Sequence, residues 1–262
     1  MSPFKDIGVE KTGHVAIVEI RRPPNNYFDV ALIKEIATAF EELDADADCR
    51  ALVLAAQGKS FCAGANFGDA DRDGGELLSG PRPGAAHLYI EGNRLFRTKK
   101  AIVAAVQGAA VGGGLGLAMV ADFRVTCREA RFCANFTRLG FHPGFGLTVT
   151  LPAVIGPTKA AMMFYTSRRV PGDEAQAMGL ADLLVPQDQV RTAALSFAAE
   201  IAENSPLGLI ATRATMRGDL ADRVRAATEH ELVEQTRLRK TDDFKEGVKA
   251  MAERRVPIFN SR

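Results

Sequence analysis

At 262 residues, with 47% apolar and 25% charged content, the chain has the size and balance of one large globular domain, or of a domain with a small appendage. A formal net charge of +1 supplies neither a basic field for nucleic acid nor an acidic one for a cationic partner. Residues 1–10 carry Pro3, Lys5, Asp6 and Glu10 and so lack the apolar stretch of a signal peptide. The longest apolar run, 101–121, is cut by glycines and Gln107 and falls short of a bilayer span. A cytoplasmic protein without a membrane partner is the expectation.

In chain order, residues 14–20 (HVAIVEI) predict a strand, broken by Arg21-Arg22-Pro23-Pro24-Asn25-Asn26, because proline removes donors and asparagine favours turns. Ile33, Ile36, Phe40 and Leu43 recur at helical spacing and predict a helix over 30–43. Residues 51–56 (ALVLAA) form an apolar run of the length of a buried parallel strand. A glycine-bearing loop, 57–66, follows, and then a Gly-, Asp- and Pro-rich stretch, 68–84. A helix over 85–98, a second buried strand over 102–106, a short apolar helix over 115–120 and a strand over 123–127 complete an alternation typical of an α/β layer. From Val190 the pattern changes. Val190, Ala194, Phe197 and Ile201 mark an amphipathic helix, and charged helical segments run from about 207 to 253. No C-x-x-C pair or histidine at ligand spacing accompanies Cys49, Cys62, Cys127 and Cys133, so buried free thiols and no metal are expected.

Two segments share one design, a buried strand running into a glycine turn. The first is Ser60-Phe61-Cys62-Ala63-Gly64-Ala65-Asn66; the second is Gln107-Gly108-Ala109-Ala110-Val111-Gly112-Gly113-Gly114. Glycine admits positive φ and close approach of a ligand to the main chain. Free N–H groups at such a turn favour developing negative charge, and two aimed at one carbonyl oxygen form an oxyanion hole. A tight packing turn uses the same residues. Neither G-x-G-x-x-G nor a P-loop is present, since Leu117 stands where the last glycine of the former would fall.

The order and spacing of Phe61-Cys62-Ala63-Gly64-Ala65, of Ala104-Ala105-Val106-Gln107-Gly108 through Gly112-Gly113-Gly114, and of Ala121-Asp122 resemble the crotonase (enoyl-CoA hydratase/isomerase) superfamily. Ala130-Arg131-Phe132, Leu139-Gly140, Leu151-Pro152, Ile155-Gly156, Gly179-Leu180-Ala181, Val185-Pro186 and the ending Arg255-Val256-Pro257-Ile258-Phe259 extend the likeness over most of the chain. It implies an α/β fold, a spiral of ββα turns over 1–200 followed by a helical trimerisation region over 201–262, assembled as a homotrimer or a dimer of trimers. It also implies a lyase or isomerase of fatty acid metabolism, with coenzyme A as part of an acyl-CoA substrate and no tightly bound cofactor. The backbone N–H groups of Ala65 and Gly113 would hold the thioester oxygen. Asn26, Tyr27, Phe28 and Ala63 would line the coenzyme A channel, with Gly64, Asn66, Gly112, Gly116 and Phe136 also at the substrate.

The chain departs from the hydratase pattern where proton transfer is done. One hydratase glutamate lies three residues beyond the oxyanion glycine, on the same helix face, and here that residue is Gly116; the second position is Phe136. Neither can transfer a proton, and general acid–base catalysis contributes typically about 10²–10⁴-fold. Isomerases of the family keep an acid near the second slot, and the nucleophilic aspartate of the 4-chlorobenzoyl-CoA dehalogenase branch would fall near Gly144. Replacement groups are His142, which titrates in the right range, Arg138 for an anionic substrate, and a set after the first loop: Asp69, Asp71, Asp73, His87, Tyr89 and Glu91. Three functions stay open: an enolate-stabilising acyl-CoA enzyme that is not an efficient hydratase, a decarboxylase or C–C hydrolase of a β-carboxyl or β-keto acyl-CoA, and a non-catalytic acyl-CoA-binding protein.

Overall fold

The computed structural model describes residues 4–66 and 88–261. Asp69, Asp71, Asp73 and His87 of the candidate set, and the stretch 68–84, lie outside the described residues.

An antiparallel hairpin opens the chain, β1 (Ile7–Thr12) against β2 (Val15–Ile20). β1 was not legible in the sequence, because only Ile7 and Gly8 of its six residues are buried and the rest of it is an exposed edge. Helix α1 (Val30–Ala45) starts on Asp29, whose Oδ1 accepts from Leu32 N–H at 2.7 Å, a side-chain cap on an otherwise unpaired donor. Then come β3 (Ala51–Ala56), α2 (Leu88–Leu95), β4 (Ala101–Val106), β5 (Ala109–Val111) and α3 (Gly113–Ala118). β6 (Phe123–Thr126) and β7 (Arg131–Cys133) lead into α4 (Leu147–Ile155), α5 (Pro157–Thr166), β8 (Arg169–Pro171), α6 (Gly172–Ala177) and β9 (Leu183–Leu184).

The main sheet runs in the order β1-β2-β3-β4-β6-β9, parallel everywhere except its first pair. Its central strands are buried on both faces, which is why they read as unbroken apolar runs rather than alternating ones. A small second sheet, β5-β7-β8, pairs β5 with β7 in parallel and β7 with β8 antiparallel. A single parallel bridge, Cys62 to Ala110, joins the loop after β3 to that second sheet. The arrangement is mixed α/β with a parallel-dominated sheet, as the resemblance implies.

Helices close the chain: α7 (Val190–Ala202), α8 (Pro206–Arg217), α9 (Leu220–Leu238) and α10 (Asp242–Ala252). Val190, Ala194, Ala198 and Ala202 of α7 are buried, and the Arg50 guanidinium donates to Ala202 O at 3.1 Å. The border between 200 and 201 expected from the sequence therefore falls inside a helix packed on the sheet. The outer helices are tied back by polar contacts. Arg213 and Arg217 of α8 both grip the Asp122 carboxylate, at 2.8 and 3.0 Å, which also accepts from Ile102 N–H at 2.8 Å. Among the described residues no helix is long and apolar enough to cross a membrane, and no group of three or more His, Cys, Asp or Glu is placed to hold a metal. All four cysteines are free and buried; burial pushes the Cys62 thiol up to about 12 and keeps it protonated.

Candidate active site

The two glycine loops meet through the main chain. Cys62 N–H donates to Ala109 O at 2.9 Å and Val111 N–H to Cys62 O at 3.0 Å. Just beyond, Gly64 takes φ +82, and a methyl there would come 2.7 Å from Val111 O and 3.5 Å from Gly113 N. The Gly64–Ala65 turn therefore lies directly against the start of α3. Gly112, at φ +56 and ψ −122, makes the corner from β5 into that helix, a conformation open to glycine and closed to side chains. Gly113 is the first helical residue, so its N–H belongs to the first turn, which has no acceptor within the helix. The carbonyl four residues back, Ala109 O, is already occupied by Cys62 N–H.

The Asn26–Phe28 segment is fastened to the same place. Asn26 is 0% exposed, and its amide donates to Gln57 O at 2.7 Å and to Ser60 O at 2.8 Å, while Oδ1 accepts from Arg22 N–H at 3.0 Å. Both amide hydrogens are engaged within the chain, so the Asn26 side chain holds two loops together. Ala63 N–H donates to Asn25 O, and Phe28 N–H to Gly64 O, each at 3.0 Å. The Phe28 ring lies over Gly113 so closely that any side chain there would overlap it. Ala63, Ala65 and Asn66 are half-buried beside it.

Aromatic rings surround the remaining positions. A methyl on Gly116 would come 2.8 Å from Phe145 Cβ, and the Phe145 and Phe28 rings pack with centroids 5.5 Å apart. Phe136 sits near Gly112, 3.8 Å from a methyl built there, and meets Phe141 edge-on at 5.6 Å; Phe141 in turn meets Phe244 of α10 at 5.3 Å. At Gly144 a side chain would overlap the Tyr89 hydroxyl and the Gln235 amide as they stand, so both would have to move to admit one.

Behind Phe145 lies a buried polar cluster that the sequence did not reveal. The Tyr89 hydroxyl donates to Gln235 Oε1 at 2.9 Å and faces the Phe145 N–H. Gln235 Nε2 donates to His142 O at 2.9 Å. Glu231, 0% exposed, accepts from Gly146 N–H at 2.8 Å, Thr148 N–H at 3.3 Å and the Thr148 hydroxyl at 2.6 Å, at the start of α4 where a carboxylate is favoured. Burial raises its pKa above the ordinary 4.5 against those donors. Burial likewise pushes the Tyr89 hydroxyl up. The only advance signal was helical spacing, since Glu231, Gln235 and Arg239 recur every four residues on one face of α9.

His142 stands on the rim of this cluster. Its Nδ1 lies 2.8 Å from Pro143 O and its ring meets His230 edge-on at 5.8 Å; no ring contact or hydrogen bond among the described residues joins it to Ala65 or Gly113. Arg138 is exposed. Glu91 is buried and paired with Arg94 one turn along α2.

Comparison with known proteins gives the family. The family model described as enoyl-CoA hydratase/isomerase matches residues 10–262. A short-chain-enoyl-CoA hydratase of Clostridium acetobutylicum is 32% identical over 99% of this chain and 99% of its own length. A putative enoyl-CoA hydratase of Thermus thermophilus is 33% identical over 97% of this chain and 100% of its own. Among solved structures, an enoyl-CoA hydratase/isomerase from Pseudoalteromonas atlantica superimposes with a TM-score of 0.86 at 26% identity, covering 98% of this chain and 100% of that one. With a match spanning nearly every residue and a shared fold, the chain belongs to the enoyl-CoA hydratase/isomerase family.

Proposed function

We propose that the chain is an enzyme acting on an acyl-CoA thioester, with the N–H groups of Ala65 and Gly113 stabilising the oxyanion or enolate that forms at the thioester carbonyl. The observation that carries this is the seating of the Gly64–Ala65 turn against Gly113 N. Each such donor contributes about 3–4 kcal/mol in the transition state when preorganised and shielded from water. Coenzyme A enters as part of the substrate, and the chemistry calls for no tightly bound cofactor. Gly116 and Phe136 stand in the slots of the two hydratase glutamates, so hydration of a simple enoyl thioester is expected to be slow. Family relatives named as hydratases support the substrate class and leave the reaction to these residues.

The test is a panel of acyl-CoAs, crotonyl-CoA included, assayed for turnover and, by calorimetry, for binding. Neither turnover nor binding across the panel would overturn the proposal. His142→Asn then asks whether that ring carries the proton, in which case kcat falls and KM is retained.

Decarboxylation or C–C cleavage of a β-carboxyl or β-keto thioester is the second possibility. It is favoured by the aromatic and glycine surroundings of Gly116, Phe136 and Phe145, since such chemistry uses an oxyanion hole without a carboxylate base. Malonyl-type thioesters releasing no CO₂ would count against it. We also propose that the helical C-terminal region is an assembly surface for a homotrimer or dimer of trimers, because Leu207, Met216 and Val233 are 79%, 82% and 63% exposed. Light scattering after size exclusion that shows a monomer would refute that.

A further inference from the structure

Among the described residues, three arginines have side-chain nitrogens shut off from solvent with no acceptor: Arg213, Arg217 and Arg239. The first two share the Asp122 carboxylate. Arg239 differs. Its Nη2 donates to Gln235 Oε1 at 3.1 Å, while Nε and Nη1 are buried and meet no acceptor, and no carboxylate pairs with it among the described residues. The Tyr89 hydroxyl lies beside it, and burial keeps that hydroxyl neutral.

A guanidinium stays protonated, so deprotonation does not relieve this arrangement. An unmet buried donor is destabilising, more so when it is charged, and so is a buried charge without a counter-charge. A planar acceptor carrying two oxygens and a negative charge is what a guanidinium fork matches best.

The position of Arg239 makes that acceptor part of a substrate. Three elements converge there: Tyr89 from α2, the 142–146 turn before α4, and Gln235 with Arg239 at the end of α9. From Phe145 the path is short. Its N–H faces the Tyr89 oxygen, Tyr89 donates to Gln235 Oε1, and Arg239 shares that same oxygen. On its other side Phe145 touches the Gly116 position, one helical turn from Gly113. An acyl chain anchored at Ala65 and Gly113 and running past Gly116 and Phe145 would be directed toward this cluster.

Building on the proposed thioester site, we infer that Arg239 is a specificity-determining residue that binds a carboxylate at the far end of the acyl chain, so that the preferred substrates are ω-carboxy acyl-CoA thioesters. The test is calorimetric binding to the full chain of acyl-CoA pairs matched in carbon number, one ending in methyl and the other in carboxylate, over a range of lengths. At one or more lengths the carboxylate form is expected to bind at least about tenfold more tightly, the effect of roughly one charged hydrogen bond. Arg239→Met removes that preference, read as the ratio of the two affinities, and Arg239→Lys, charged but without the fork, keeps part of it. Methyl forms binding as tightly or more tightly at every length overturn the inference from the unaltered protein alone, whether or not the variants fold. A folded Arg239→Met that retains the preference overturns it as well. If neither form binds at any length, the thioester site itself is wrong and the inference falls with it; methyl binding without carboxylate preference sinks the inference and leaves the site standing.

Discussion

The two sides of the candidate site are built by opposite means. Around Gly64, Gly112 and Gly113 the wall is backbone, set by main-chain hydrogen bonds between Cys62, Ala109 and Val111 and by glycines that let segments touch. Around Phe145 the wall is made of long polar side chains, Tyr89, Glu231, Gln235 and Arg239, carried in by helices far away in sequence. A backbone wall presents fixed dipoles and has little side-chain chemistry to change. A side-chain wall can change its chemistry with single substitutions, and it holds the charged groups whose burial must be compensated.

Substitutions break the two walls in different ways. The largest effect is expected from Gly114→Ala, whose new methyl would overlap the Cys62 carbonyl, which is itself bonded to Val111 N–H. A backbone obstacle cannot swing aside, so the loss should reach or exceed about 3 kcal/mol, read by chemical denaturation, and acyl-CoA binding should go with it. A variant within 1 kcal/mol of the parent, by the ~1–3 kcal/mol scale of overpacking, would show that the loops are not rigidly seated. Glu231→Leu leaves Gly146 N–H, Thr148 N–H and the Thr148 hydroxyl without their acceptor and should cost about 3 kcal/mol, lowering the melting temperature by roughly 6–12 °C for a chain of this size.

Glu231 also carries a pH signature. Burial holds its folded pKa above 4.5, so the folded state binds this proton more tightly than the unfolded state does. Stability from this group is full below pH 4.5 and is lost as pH rises through the folded pKa. His142 and Tyr89 face the same carboxylate. Glu231→Gln should flatten that part of the stability profile; an unchanged slope would mean the carboxyl is not the group responsible.

Next in size is Asn26→Ala, expected to cost about 2 kcal/mol, because two carbonyls and the Arg22 N–H lose a buried partner. Its effect should appear in stability and in coenzyme A affinity together, since the clip positions the Phe28 segment. The smallest and sharpest test joins the walls. Gly116→Ala meets the Phe145 ring carbons Cδ1 and Cγ at 2.9 and 3.1 Å as well as its Cβ at 2.8 Å, and Phe145→Ala removes the two ring contacts. A double-mutant cycle should give a coupling of about 1 kcal/mol between them, and additivity would show that Phe145 does not close over Gly116.

Much of the first wall was legible in the sequence and little of the second. Apolar runs at 51–56 and 102–106 and the turn glycines are local signals, and their residues fold where they stand. The short helix was read from its first apolar residue, Leu115, and in fact begins at Gly113, because helix starts are set by cap geometry that glycines disguise. Helices α4 and α5 went unread, since α4 contains Pro152 and β-branched residues and α5 opens on Pro157. The Tyr89–Gln235 bond spans 146 residues, and no local pattern announces such a pairing. Nothing local in the sequence announces that the Asn26 amide is bonded to Gln57 O and Ser60 O, more than 30 residues away.

The bridge between Cys62 and Ala110 has a consequence for how such a protein changes over generations. It fixes the two N–H-bearing turns to each other without recruiting any side chain at positions 116, 136 or 145. The main-chain contact between those turns therefore does not depend on which side chain stands at 136, whereas 116 is held small by Phe145. On the thioester reading proposed above, the side chains beside the two donors can change one at a time while the donors keep their spacing.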